Sequence, residues 1–469
     1  MQYILKHHAV IQTAADAANF FNKEIKMLKV GYAQEVITPP AGVGLAGYFN
    51  QRPNEGMYDD LFVKVVAMEI DGKRTAIVSF DLVSITGVMF NALKAKVDAE
   101  FGEGLYENML VCATHTHTGP KYLNKPQQED ELTQYAFDMT VDSALRAIKR
   151  AFMNLLPAEL EATKVYNNPY GFVRRYWMTS GDIVTNPGWR NPNIDKPECD
   201  YDRTVNILAV KQGGRIAALI CNIANHGDTI GGNLVSADWY GRFTQAVQHE
   251  LKTSIPVLVL DDASGNINHF DFHQQICQTG YHEAVRIGRG YARIVLDALA
   301  DLEPVAADKL QIKNTMVTIP HRQLSDAEVA EAQHILDTVP DIKKDGDFES
   351  QDLANKVPAA LRYFAKRALD CRAKSKPSHD CRLTAIEFGK KLALVSLPGE
   401  PFNGIAEAIR RQSPFENTFI VTLSQSQSGY VPMKECFARG GYEVQPQINS
   451  VAPDAAEAII DAAIKNLTK

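Results

Sequence analysis

The chain has 469 residues, of which 45% are hydrophobic and 22% charged, with a formal net charge of −7. That length allows two or three domains or one large α/β unit, and the composition is that of an ordinary globular protein. The acidic balance, with no basic stripe, argues against a nucleic-acid partner. No apolar run reaches the roughly 18 residues that span a bilayer, so no transmembrane segment is expected.

Residues 1–27 have no basic start followed by an apolar stretch, and Asp16, Asn19 and Asn22 interrupt them, so they do not read as a signal peptide. They read as an N-terminal extension, either an amphipathic helix or sequence upstream of a start at Met27. Residues 28–469 read as one domain. A strand and a Pro/Gly loop fill 28–50. LFVKVVAMEI and TAIVSFDLV form a hairpin on Asp71–Gly72. A helix follows over 86–101, then the buried strand NMLVCAT, which empties into the loop HTHTGP. Residues 131–154 repeat apolar positions at helical spacing, with Pro157 just beyond. ILAVKQ and RIAALICNIAN make a second hairpin on Gly213–Gly214, and the second strand runs into His226. IPVLVLDDAS is another strand, and 280–301 is helical. The charged stretch at about 322–378 reads as a helical insertion or lid. LTAIEF and LALVSLPGEP form a third hairpin, followed by a helix, the strand FIVTLSQ and a closing helix at 453–467. No internal repeat is visible. This pattern specifies an α/β fold of mixed β-sheets flanked by helices, with apolar strands delivering polar loops. Ligands gather where such strand ends converge.

Five residues in those loops belong to types that bind zinc: His115, His117, His226, Glu400 and Tyr430. His115 and His117 alternate along an extended segment and so share a face. Two histidines, a carboxylate and a water make a common catalytic zinc site, which suits hydrolysis of an amide or ester. Tyrosine is a weak ligand, and Tyr430 alone reads as a core residue. Ser264, in DDASGN, reads equally as a nucleophile, a substrate donor or a turn cap; GxSxG is absent. Asp238 reads as a residue that orients a histidine or as a helix cap. Arg174 and Arg175 suit a substrate carboxylate or phosphate, or an ordinary surface. The seven cysteines lack CxxC spacing, so neither a disulfide framework nor a cysteine zinc site is expected, and a reducing cytoplasm fits. Cys112 reads as a core thiol.

The order VGYAQEVITPP, ATHTHTGP, the Asn-His segment, DDASGN, LPGEP, SGYVP and GGYEV resembles the catalytic domain of the neutral/alkaline, non-lysosomal ceramidases and their bacterial relatives, over about residues 28–450. The resemblance implies one Zn2+ per chain, bound by His115, His226, Glu400 and Tyr430. It implies that His117 and Tyr442 stabilise the tetrahedral intermediate, that Ser264 matches a serine proposed as nucleophile, and that Arg175 or Arg174 meets the substrate. The implied reaction is hydrolysis of an N-acyl amide by metal-activated water. This chain departs from the family at the serine loop, usually GDVSPN, and at Lys121-Tyr122, where a glycine pair usually follows HTHSGP. It also stops soon after the YEV segment, before the family's C-terminal β-sandwich. Residues 166–200 are polar, so a more polar substrate than ceramide is expected. Two other readings are an esterase or lactonase on a carbohydrate-derived substrate, and a non-catalytic binding protein stapled by its metal. No oligomeric state is read from the sequence.

Overall fold

The computed structural model describes residues 27–468 except 51, 275, 345–347, 349–351, 354, 374, 375, 426, 427 and 447. The extension expected at 1–27 therefore lies outside the described residues, Met27 apart.

One topological unit occurs three times. In the first, the strand Lys29–Val36 pairs antiparallel with Phe62–Ile70, which turns back as Lys73–Phe80. The helix Gly87–Phe101 then crosses over to Leu110–Ala113, parallel to Lys73–Phe80, and the helix Glu131–Met153 closes the unit. The second unit repeats this order with strands Glu159–Val165, Val205–Gln212, Arg215–Ile223 and Val257–Asp261, and helices Asp238–Leu251 and Tyr281–Ala298. The third uses Leu310–Pro320, Ser378–Phe388, Leu392–Ser396 and Asn417–Val421, with helices Asn403–Gln412 and Ala455–Thr468. The sequence carries no matching repeat; the recurrence lies in the topology alone.

Local chemistry accounts for the hairpins. Asp71 and Gly72 both have positive φ (51° and 74°), as do Gly213 and Gly214 (57° and 74°). Two consecutive left-handed residues make the tight turn whose twist matches that of the strands, and Asp-Gly and Gly-Gly adopt it readily. The third and fourth strands of the three sheets are largely buried on both faces, while the first strands Lys29–Val36, Glu159–Val165 and Leu310–Pro320 keep a partly exposed side. Val30 and Val66 of the first sheet, Leu208 and Ile220 of the second, and Ile386 and Leu394 of the third share one inner core at 0% exposure. On the outer faces each sheet carries its own two helices. Each fully buried aliphatic side chain contributes about 1.5–3 kcal/mol, so these residues hold the three units together.

The topology also fixes where chemistry can occur. In each sheet the first, third and fourth strands run the same way, so the segments that follow them leave from one end. Those segments carry HTHTGP, the His226 loop, the Ser264 loop, PGE and SGYVP. The inserts between the first and second strands leave from that end too. They are 37–61, 166–204 and 321–377, the last holding the helices Asp326–Thr338 and Pro358–Ala373. No helix among the described residues is long and apolar enough to cross a membrane.

Candidate metal centre

His115 leaves the strand Leu110–Ala113 at φ 78°, a left-handed conformation that costs a side-chain-bearing residue roughly 1–3 kcal/mol. Its amide donates to Leu82 O at 2.9 Å. Thr116 bridges to Gly227, and His117 N donates to Gly227 O at 2.9 Å, which fastens the His115 and His226 loops side by side. Glu400 is held by a parallel two-residue pairing with Tyr430.

These constraints bring four atoms of metal-ligand type to one point. His115 Nε2 lies 3.2 Å from His226 Nε2, 3.3 Å from His117 Nε2 and 3.3 Å from Glu400 Oε2. Glu400 Oε2 is 3.6 Å from His226 Nε2. The Nδ1 atoms fix the chemistry. His115 Nδ1 meets Val83 O at 2.7 Å, and His226 Nδ1 meets Ser264 O at 3.1 Å and Ile267 O at 3.0 Å. A carbonyl only accepts, so each Nδ1 carries the proton and each Nε2 offers a lone pair. Glu400 Oε2 is buried without a properly formed hydrogen bond. Facing lone pairs repel unless a cation sits among them. Four ligands on a tetrahedral zinc, with bonds of about 2.0–2.1 Å, stand roughly 3.3 Å apart. The donor set and spacing therefore fit a zinc-like ion. The ligand nitrogens of His115, His117 and His226 all lie within 4.8 Å of one another, a grouping that could hold a metal ion.

The electrostatics agree. Burial opposes charge on His115, but Glu400 and Asp261 outweigh it and raise its pKa to about 9 in the metal-free protein. Burial, then Arg174 and the neighbouring imidazoles, hold His226 far below its ordinary value; burial and His115 do the same to His117. Burial alone would raise Glu400, yet His115, Arg174 and His117 keep it below the ordinary carboxylate range. The metal-free cluster thus carries one proton where a metal would otherwise sit.

The other expected residues fall around this centre. Arg174 Nη1 reaches His226 Nε2 at 3.2 Å, while its other arms donate to Glu443 and to Gly265 O. Arg175 turns away: its guanidinium is spent on Glu198, Glu443 and Gly440 O, at 0% side-chain exposure. Of the pair, Arg174 is the one that meets the histidines, because neighbouring residues on an extended segment point to opposite faces. Ser264 Oγ donates to Asp261 at 2.8 Å, so its hydroxyl is engaged, while its carbonyl orients His226. Tyr430 lies against the Arg174 guanidinium, 5.1 Å from ring centre to Cζ, and burial pushes its phenol well up. The Tyr442 ring is 6.1 Å from that of Tyr430. Asp238 touches no histidine. It accepts from the amides of Thr229, Ile230 and Trp239, pinning the loop after His226, and burial lifts its pKa to about 6. Cys112 is a fully buried core thiol whose pKa burial pushes up to about 12.

Three residues were not singled out in the sequence. Glu443 follows Tyr442 and binds both arginines. Asp228 lies two residues past His226 and faces His117, and Tyr48 donates to it. The side chains of His117, Glu400 and Asp228 keep 12%, 17% and 34% exposure, while Glu400 Oε2 and His117 Nδ1 themselves are buried.

No protein-family model and no curated protein sequence matches this chain. Solved structures do. The neutral ceramidase of Pseudomonas aeruginosa superposes with a TM-score of 0.69 at 17% identity, covering 94% of this chain and 74% of that one. A ceramidase complexed with C2 gives 0.68 at 17% identity, covering 94% of this chain and 75% of that one. The chain has the ceramidase fold, the mixed α/β architecture expected from its motifs.

Proposed function

We propose that this protein is a zinc-dependent hydrolase of an N-acyl amide bond. The observation that carries the reading is the convergence of three imidazoles, their ligand nitrogens all within 4.8 Å of one another, and of the Glu400 carboxylate 3.3 Å from His115 Nε2, in a fold shared with neutral ceramidases. His115, His226 and Glu400 would hold the ion, with His117 and Tyr430 as the further ligands; His117 is favoured because its Nε2 already lies in the cluster. Three imidazoles and a carboxylate suit zinc among the divalent ions. Bound there, zinc supplies a Lewis acid that polarises a carbonyl and brings the pKa of a water down to about 7. Arg174 presents a guanidinium edge to the same point, where it stabilises negative charge developing on the substrate oxygen. Tyr442, kept neutral by burial, is a second donor. Ser264 acts through its carbonyl, which holds His226 in the metal-binding tautomer.

A polar substrate is favoured because segment 166–200 borders the centre. It does so through Arg174 and through Thr185, which accepts from Tyr442 N at 3.4 Å and donates to Glu443 at 2.8 Å. A reducing compartment is supported by the seven cysteines, an odd number without CxxC spacing. A coordination position left for water is what separates this reading from a sealed structural staple. The test is turnover of matched N-acyl amides and esters before and after chelation. Amide hydrolysis lost on chelation and restored by Zn2+ supports the proposal. Undiminished hydrolysis without metal sinks it, and turnover of the esters alone would replace it with the esterase reading.

A further inference from the structure

The three imidazoles are braced differently. His115 and His226 give their Nδ1 protons to backbone carbonyls. His117 has a carboxylate instead: Asp228 Oδ1 lies 3.5 Å from His117 Nδ1, which is buried and has no hydrogen-bond partner among the described residues. The same Oδ1 accepts from Tyr48 OH at 2.9 Å. We propose that Asp228 is a positioning residue of the metal centre, keeping the His117 proton on Nδ1 so that the Nε2 lone pair faces the ion, with Tyr48 holding the carboxylate in place. The inference rests on the metal reading given above.

The backbone is built to make this contact. The Thr116–Gly227 bridge sets Asp228 beside His117. On the far side, the loop carrying Tyr48 lies flush on the imidazole. A Cβ on Gly47 would stand 2.6 Å from His117 Cγ and Nδ1, and Gly47 has φ 93°, so only glycine lets Tyr48 follow directly. Arg52 locks the loop from behind, donating to His117 O at 2.7 Å with its guanidinium 3.7 Å over the Tyr48 ring. At 3.5 Å the carboxylate–imidazole contact is electrostatic rather than a short hydrogen bond. A cation at Nε2 polarises the Nδ1–H bond and strengthens the attraction. A carboxylate behind a ligand histidine raises its basicity and fixes its ring, and losing such a partner typically costs 10–100-fold in metal affinity.

The experiment is zinc affinity by chelator competition in wild type, Asp228→Ala, Asp228→Glu and Tyr48→Phe. It is paired with long-range 15N–1H correlation of zinc-loaded, histidine-labelled wild type. Asp228→Ala should weaken zinc binding about 10–100-fold, Asp228→Glu should recover most of it, and Tyr48→Phe should lose less than Asp228→Ala. The His117 signal should be that of the Nδ1-protonated tautomer, a readout that needs no variant and that a purely structural acid would not set. An Asp228→Ala protein binding zinc within twofold of wild type, or His117 protonated on Nε2, overturns the inference while leaving the metal reading intact. Wild type that takes up no zinc overturns both.

Discussion

The His115–Glu400 pair makes the metal-free protein depend on pH in a defined direction. His115 has a folded pKa of about 9, raised above its ordinary value of about 6.5, which stands for the unfolded chain. A raised pKa means that the native state binds the proton more tightly. The stabilisation is therefore complete below about pH 6.5 and is lost as pH rises through about 9. At about 1.36 kcal/mol per pKa unit, the shift amounts to about 3 kcal/mol. The histidine side chain is 4% exposed, so solvent screening removes little of it. Glu400→Gln removes the carboxylate whose charge raises the pKa. The assay is urea unfolding of chelator-treated wild type and variant between pH 6.5 and 9.5. Wild type should exceed the variant by about 3 kcal/mol at the acid end, and the gap should shrink through the alkaline limb. With zinc bound the dependence should vanish, because the ion occupies the proton's place. A gap that is constant or grows with pH would refute the reasoning.

Arg175→Ala should destabilise the protein by about 3–5 kcal/mol in denaturant unfolding, because it takes the central cation from Glu198 and Glu443, at 1% and 0% exposure, leaving them only Arg439 and Arg174. Arg174→Ala should retain zinc but lower kcat by about 10²–10³, as loss of a donor to developing charge does; an unchanged kcat would remove Arg174 from the chemistry. Gly47→Ala puts a Cβ 2.6 Å from the His117 ring at a positive φ, so zinc affinity measured by chelator competition should fall.

Much of this architecture was legible because it is local. Asp71–Gly72 and Gly213–Gly214 announced two hairpins, the apolar runs ending at Ala113, Ile223 and Ser396 announced buried strands, and the helices at 87–101, 131–153 and 281–298 followed their periodicity. The short strands Phe172–Val173, Arg175–Met178, Ile183–Thr185 and Ile194–Pro197 were not legible, since two to four residues give no period to read. The threefold recurrence was hidden because topology is set by which strands pair, not by side-chain identity. At the site, the histidines and Glu400 stood out by type and spacing, whereas their partners did not. Arg174 and Glu443 are 269 residues apart, and Tyr48 and Asp228 are 180. A glutamate after a tyrosine, or an aspartate after a glycine, is an ordinary loop residue until the fold supplies its neighbour. Similarly, the sequence offered two arginines, and only the alternation of the extended segment separates the one that meets His226 from the one locked between carboxylates.

The central claim is that three distant loops build one metal site. Metal content of the purified protein by mass spectrometry, for wild type beside His226→Ala, tests it most directly. The account predicts about one zinc per wild-type chain and loss of that zinc in a variant that remains folded. A wild-type protein without metal, or zinc that persists when His226 is gone, would contradict it.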